Sequence, residues 1–124
     1  MDEGKLKLRK ELEKEARSLG FSAFGVARAD AAPQSGARLR QWLASGAHGD
    51  MIWMEETAER RATSIGLWPE VRSVIVLGMS YAPSADPLAL AGASDIGRIS
   101  VYAQGADYHD IVKKALKQLA RWLV

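Results

Sequence analysis

The stretch Ile99–Asp110, ISVYAQGADYHD, sets a short apolar run, two tyrosines, a glycine, two aspartates and His109 directly in front of the chain's longest amphipathic pattern. From Asp107 onward the apolar residues are Tyr108, Ile111, Val112, Ala115, Leu116, Leu119, Trp122 and Leu123. They form a one-sided stripe at helical spacing. Asp107 stands at the N-cap and Asp110 three residues on, a variant of the capping box whose usual partner is Glu or Gln. A helix is therefore predicted to begin at Asp107. Its first-turn N–H groups lack partners within the helix and its dipole makes that end mildly positive, so it could receive phosphate, carboxylate or amide oxygens. Capping its own helix is enough to explain Asp107, and the physics alone favours that role.

At 124 residues, 48% hydrophobic and 26% charged, the chain is long enough for one core and too short for two. A single globular unit is predicted. The last residues, LKQLARWLV, stay apolar at helical spacing with no Gly, Asn or Pro to stop them. A fragment of a longer protein is expected, its remainder covering apolar surface left open here. The formal charge of +2 permits contact with nucleic acid without demanding it. The chain has no cysteine, which removes disulfides, zinc–thiolate sites and cysteine-held clusters from this segment, and two histidines cannot build a multi-histidine metal site. The amino terminus, MDEGKLKLRKELEKEARSLG, is charged throughout, and no later apolar run approaches membrane-spanning length. A soluble cytoplasmic protein without a membrane partner is the expectation.

In chain order, Leu8, Leu12, Ala16 and Leu19 stripe a charged helix that Gly20 and Phe21 should end with a left-handed cap and an apolar clasp. Ser22–Arg28 follows as a short strand, with Gly25 inside it either for packing or for a close approach. After a turn at 33–36, Leu39, Trp42 and Leu43 mark a short helix ended by Gly46, with Arg38 and Arg40 outward. Asp50 is expected to cap a helix over Met51–Arg61, with Met51, Met54 and Ala58 on one side and Ile52 and Trp53 widening the apolar face. His48, in a Gly-flanked turn, is expected to be exposed. Arg60 and Arg61 close that helix where cations suit the dipole, and each guanidinium is also a strong donor to carbonyl or phosphate oxygens. LWPEVR should be a turn. Ser73–Met79, SVIVLGM, is β-branched and apolar on both faces, as in a central strand. Residues 81–97 dissolve into a long loop of Ala, Ser, Pro, Gly and Asp. Within it, GASDIGR imitates a phosphate loop, but Arg98 and Ile99 replace the Lys and Ser or Thr it would need and no strand leads into it. The residues themselves thus give an α/β or α+β domain with a candidate ligand edge at 97–110.

Four blocks in order, LGFSAFGVARAD, LRQWLASGAHGDMIWME, ERRA with LWPEVRSVIVLGMSYAP, and ISVYAQGADYHDIVKKALKQL, resemble the amino-terminal domain of the epoxyqueuosine reductases. The resemblance spans nearly the whole chain and rests on the order and spacing of the blocks. It implies an α/β (α+β), nitroreductase-like cobalamin-binding domain, helices packed on a small sheet, of which residues 1–124 are the amino-terminal part. It implies a soluble, monomeric full-length enzyme that reduces epoxyqueuosine at the wobble position of tRNA to queuosine, using cobalamin and two [4Fe-4S] clusters. The general acid of the family, an Asp in a motif like VDTAPV, and the ferredoxin-like cluster domain would both lie downstream, so this fragment alone should be inactive. Residue by residue, Arg61 matches a cobalamin-contacting arginine and Ser100 a cobalamin-contacting Ser or Cys. Tyr102, Asp107 and His109 belong to a block like YARGxDYH beside the cofactor. Here the block is YAQGADYH, and Gln104 in place of arginine puts in doubt any contact that needs a charge there.

Three other functions are compatible with the residues. One is a stand-alone corrinoid or small-molecule binding module. Another is a related cobalamin-dependent reductase of non-RNA substrates. The third is a cofactor-free tRNA-docking module using Arg38, Arg40, Lys113, Lys114, Lys117 and Arg121, whose RNA binding would be salt-sensitive.

Overall fold

Asp2 starts the first helix by accepting the Gly4 N–H on its carboxylate, and α1 then runs over Glu3–Ser18. The computed structural model describes residues 2–124. The elements that follow are β1 (Ala23–Arg28), α2 (Ser35–Ala44), α3 (Ile52–Glu56), α4 (Ala58–Ala62), α5 (Ser64–Leu67), β2 (Ser73–Gly78), a 3-10 turn at Val101–Ala103 and α6 (Tyr108–Leu123). The strands pair as a two-stranded sheet. Ser22 N–H donates to the Gly78 carbonyl and Ala29 N–H to that of Arg72, so the partner number falls as the first rises and the pairing is antiparallel. The protein is a small α+β domain of helices and a two-stranded sheet.

The chain folds into two compact units, Met1–Phe24 with Leu77–Val124, and Gly25–Val76, where its length and composition predict one. The first holds a buried cluster of Leu12, Ala16, Phe21, Ala115 and Leu119, with Leu19, Phe24, Leu77, Met79 and Val112 packed against it. Its geometry is set at the end of α1. Phe21 N–H reaches the Ala16 carbonyl and Gly20 N–H that of Arg17, and Gly20 takes φ +98. This is the paired-bond cap that a left-handed glycine permits, and it turns Phe21 back into the core as predicted. In the second unit α4 packs against α2 and α5. Gly36 is buried there, where a Cβ would stand 3.3 Å from that of Ala62, and the Ser35 hydroxyl donates to the Ala62 carbonyl at 2.6 Å.

Several local expectations give way to the structure. The helix expected over Met51–Arg61 is two helices meeting at Thr57, whose N–H and hydroxyl both donate to the Trp53 carbonyl. Asp50 does not cap it: the N-cap is Met51, without a side-chain bond. Part of the expected LWPEVR turn is helical, since α5 extends to Leu67 and is capped by Thr63, which accepts the Gly66 N–H at 2.9 Å. The strand β2, expected to be central, has a single neighbour among the described residues, and Val76 is 56% exposed. His48 is largely covered, its side chain 11% exposed.

Candidate functional site

In the unit Gly25–Val76, residues 53, 57 and 61 recur four apart and carry one continuous interaction. Thr57 donates to the Trp53 carbonyl, Arg61 Nε donates to Thr57 Oγ1 at 2.7 Å, and the Arg61 guanidinium lies 4.6 Å from the centroid of the Trp53 ring. A cation over an aromatic face is attracted by the ring quadrupole, and the stack fixes the plane of the fork. Its amino groups have no hydrogen-bond partner among the described residues. Arg61 lines a cleft of about 420 Å³ with Thr57, Arg60, Thr63, Ser64 and Leu67. The backbone around it is tight at Gly66, where a Cβ would come 2.6 Å from the Glu59 carbonyl oxygen. Two guanidinium groups and three hydroxyls in one cleft suit carbonyl, carboxamide or phosphate oxygens.

Ser100, Tyr102, Asp107 and His109 belong to the other unit, and all four are exposed. Ser100 immediately precedes the 3-10 turn that holds Tyr102, and its carbonyl accepts the Ala103 N–H at 2.9 Å. The Gln104 amide donates to the Ile99 carbonyl at 2.9 Å, closing the segment on itself, and Gly105 then takes φ +81, a left-handed conformation that favours glycine. Gln104 thus supplies a neutral local donor at this position.

Asp107 caps α6. Its Oδ1 accepts the His109 N–H at 2.9 Å and lies 2.8 Å from His109 Nδ1. The bond from the His109 backbone, then that from its ring, hold the Asp107 carboxyl below the usual carboxylate range. The Tyr108 and His109 rings stack with centroids 4.2 Å apart. Asp107 and His109 are therefore brought together as a pair, with Asp107 favoured in its ionised form, the wrong state for a proton donor near neutrality.

The sequence pattern did not single out Thr57, Thr63 and Ser64 or the seat of Arg61 on Trp53. The i, i+4, i+8 spacing of Trp53, Thr57 and Arg61 was the available signal. His48, expected to be exposed, has its ring 5.9 Å from that of Trp42 and its Nε2 3.7 Å from Glu55, with a buried Nδ1 lacking a partner. Among the described residues no group of three His, Cys, Asp or Glu could hold a metal ion, and no helix is long and apolar enough to cross a membrane.

Comparison with known proteins says what kind of protein this small α+β domain with its open, donor-lined cleft comes from. The family model described as "Epoxyqueuosine reductase QueG, DUF1730" matches residues 61–124. Among similar proteins, the epoxyqueuosine reductase of Gloeobacter violaceus is 43% identical over 115 residues, covering 91% of this chain and 34% of that protein. That of Atelocyanobacterium thalassa is 32% identical over 120 residues, 95% of this chain and 38% of its own. That of Pseudomonas aeruginosa is 35% identical over 105 residues, 84% of this chain and 29% of its own. The chain belongs to the epoxyqueuosine reductase family. It spans about a third of the length of these relatives. No solved structure matches it.

Proposed function

We propose that the protein carrying this chain reduces epoxyqueuosine in tRNA to queuosine, and that residues 1–124 form the amino-terminal part of its cobalamin-binding domain. The observation that supports this most is the family match over 61–124, a span that contains Arg61, Ser100, Tyr102, Asp107 and His109. Removing the epoxide oxygen as water and leaving an alkene takes two electrons and two protons. Cobalamin, when bound, supplies the electrons to the substrate, fed from two [4Fe-4S] clusters whose ligands lie elsewhere in the protein, since this chain has no cysteine.

The residues present fit a corrinoid's periphery. A corrin ring carries carboxamide side chains and a nucleotide phosphate, acceptors that match the Arg61 fork and the hydroxyls of Thr57, Thr63 and Ser64 in its cleft. Trp53 and Thr57 hold the Arg61 guanidinium in place before a ligand arrives. Ser100 and Tyr102 offer exposed hydroxyls, and Asp107 with His109 fixes the start of α6. None of these residues is assigned the proton that leaves with the epoxide oxygen. That proton is assigned to an Asp beyond this chain, and the full-length protein is taken to be monomeric.

The test is to express the full-length protein in cells lacking their own epoxyqueuosine reductase and to analyse tRNA nucleosides by mass spectrometry. Queuosine should replace epoxyqueuosine. Persistence of the epoxide with folded, cofactor-loaded protein would refute the proposal. Arg61→Ala should weaken cobalamin binding roughly tenfold or more in a visible-absorption titration, as loss of a charged donor predicts.

A further inference from the structure

The four cations of α6, Lys113, Lys114, Lys117 and Arg121, are all exposed. With Asp110 and Gln118 they line one shallow depression. Val112, Ala115 and Leu119 turn the opposite side of the helix into the core, so the cations form a stripe facing away from it. The helix holds one acid, Asp110, against those four cations, whereas the whole chain holds 15 acids against 17. Outside α6 the chain is therefore net acidic.

Lys113, Lys117 and Arg121 follow one another four residues apart, and like charges at that spacing disfavour a helix. The other long helix, α1, also has cations four apart, Lys5 with Arg9 and Lys10 with Lys14, but sets acids among them: Lys7 pairs with Glu11 and Arg17 with Glu13, each at i, i+4. No cation of α6 makes a salt bridge among the described residues. Four cations answered by the single acid Asp110, on an otherwise balanced chain, fit an anion from outside. The stripe extends about 12 Å from Lys113 to Arg121 in steps of about 6 Å, the scale of successive phosphates along a nucleic-acid strand. A membrane surface fits less well, because Val112, Ala115 and Leu119 are packed in the core, so α6 cannot lay its whole apolar face into a bilayer.

We infer that the Lys113–Lys114–Lys117–Arg121 face of α6 docks the sugar–phosphate backbone of a structured RNA. Under the proposed function that RNA is the tRNA substrate, and the stripe then positions it without taking part in the chemistry.

The test uses the full-length protein and a labelled, unmodified tRNA transcript, with affinity measured by anisotropy over a series of salt concentrations. The triple variant Lys114→Ala, Lys117→Ala, Arg121→Ala should lower the slope of log Kd against log salt by roughly 2 to 3, as the loss of three phosphate contacts requires. The charge-matched control Lys5→Ala, Lys10→Ala, Lys14→Ala on α1 should leave it near the wild-type value, and Lys114→Arg with Lys117→Arg should retain it. Equal effects of the two alanine triples, or none from the α6 triple, would overturn the inference. So would loss of binding to phosphatidylserine vesicles with RNA binding intact. In an epoxyqueuosine reduction assay the α6 triple should raise KM for tRNA and leave kcat near wild type. If even the wild type fails to reduce the epoxide, the proposed function falls while the salt slopes still decide the stripe.

Discussion

A carboxylate that accepts two bonds from the residue two places on is held ionised by its own helix, and Asp107 is in that position. Its folded-state pKa lies below the ordinary value, so the unfolded chain binds the proton more readily. The cap therefore contributes fully above the ordinary carboxylate range, about 3.9, and its contribution is lost as pH falls through the lowered folded value. Asp107→Asn should keep a neutral-pH Tm close to wild type, because Asn caps as well as Asp, and should lose this acid-side dependence. Asp107→Ala should lower the Tm by several degrees. Melts by circular dichroism between pH 3 and pH 7 check both. Under the proposed function, Asp107→Asn in the full-length protein should also retain substantial epoxide reduction. A folded, cobalamin-binding Asn variant with no turnover would move the acid into this chain. Gly66 is the second sensitive position: Gly66→Ala drives a Cβ against the Glu59 carbonyl and should cost about 1–3 kcal/mol. Gly97→Ala, with nothing within 4 Å, should stay within about 0.5 kcal/mol in the same denaturant titration.

The elements most legible in the sequence are those whose ends are local chemistry. Gly20 with Phe21 ends α1, Gly46 ends α2 at φ +70, and Asp107 starts α6, all as the residues predict. Both strands and the irregular 81–97 segment also lie where the pattern puts them. What misled was patterning without a terminator. The stretch Met51–Arg61 gives no Gly or Pro at which to divide it, yet two helices meet there at Thr57, and Thr63 opens α5, which runs into the LWPEVR segment expected to be a turn. The candidate site is legible in part for the same reason. Asp107 and His109 interact within three residues of sequence, whereas the cleft around Arg61 depends on how α4 and α5 meet. Thr57→Ala tests the division: without the back-bond, α3 and α4 should join, with a small gain in far-UV helicity. Arg61 would lose its acceptor, and cobalamin binding by the full-length protein should weaken. A variant with higher helicity and unchanged cobalamin affinity would separate Thr57 from the cleft's function.

At the scale of the whole molecule, surface area shows what this sequence does not satisfy by itself. Large apolar side chains stay exposed in both units: Ile65, Leu67 and Trp68 on and beside α5, Val76 on β2, and Ile99, which is 70% exposed. Buried hydrophobics number five in the first unit, and Ala62 is the one described in the second. The hydrophobic term scales with area removed from water, so the 124 residues in isolation should have a small folding free energy. Those surfaces suit burial against the rest of a protein about three times as long, as the relatives are. The expected behaviour of the isolated chain is a broad thermal transition with strong anilinonaphthalenesulfonate fluorescence, and the full-length protein should show neither. Hydroxocobalamin should bind the isolated chain weakly or not at all, because part of a pocket loses buried area and preorganisation together. A sharp transition, no dye binding and stoichiometric cobalamin uptake by the 124 residues alone would mean that this segment closes its own core and its own site. The exposed apolar residues would then need a different partner.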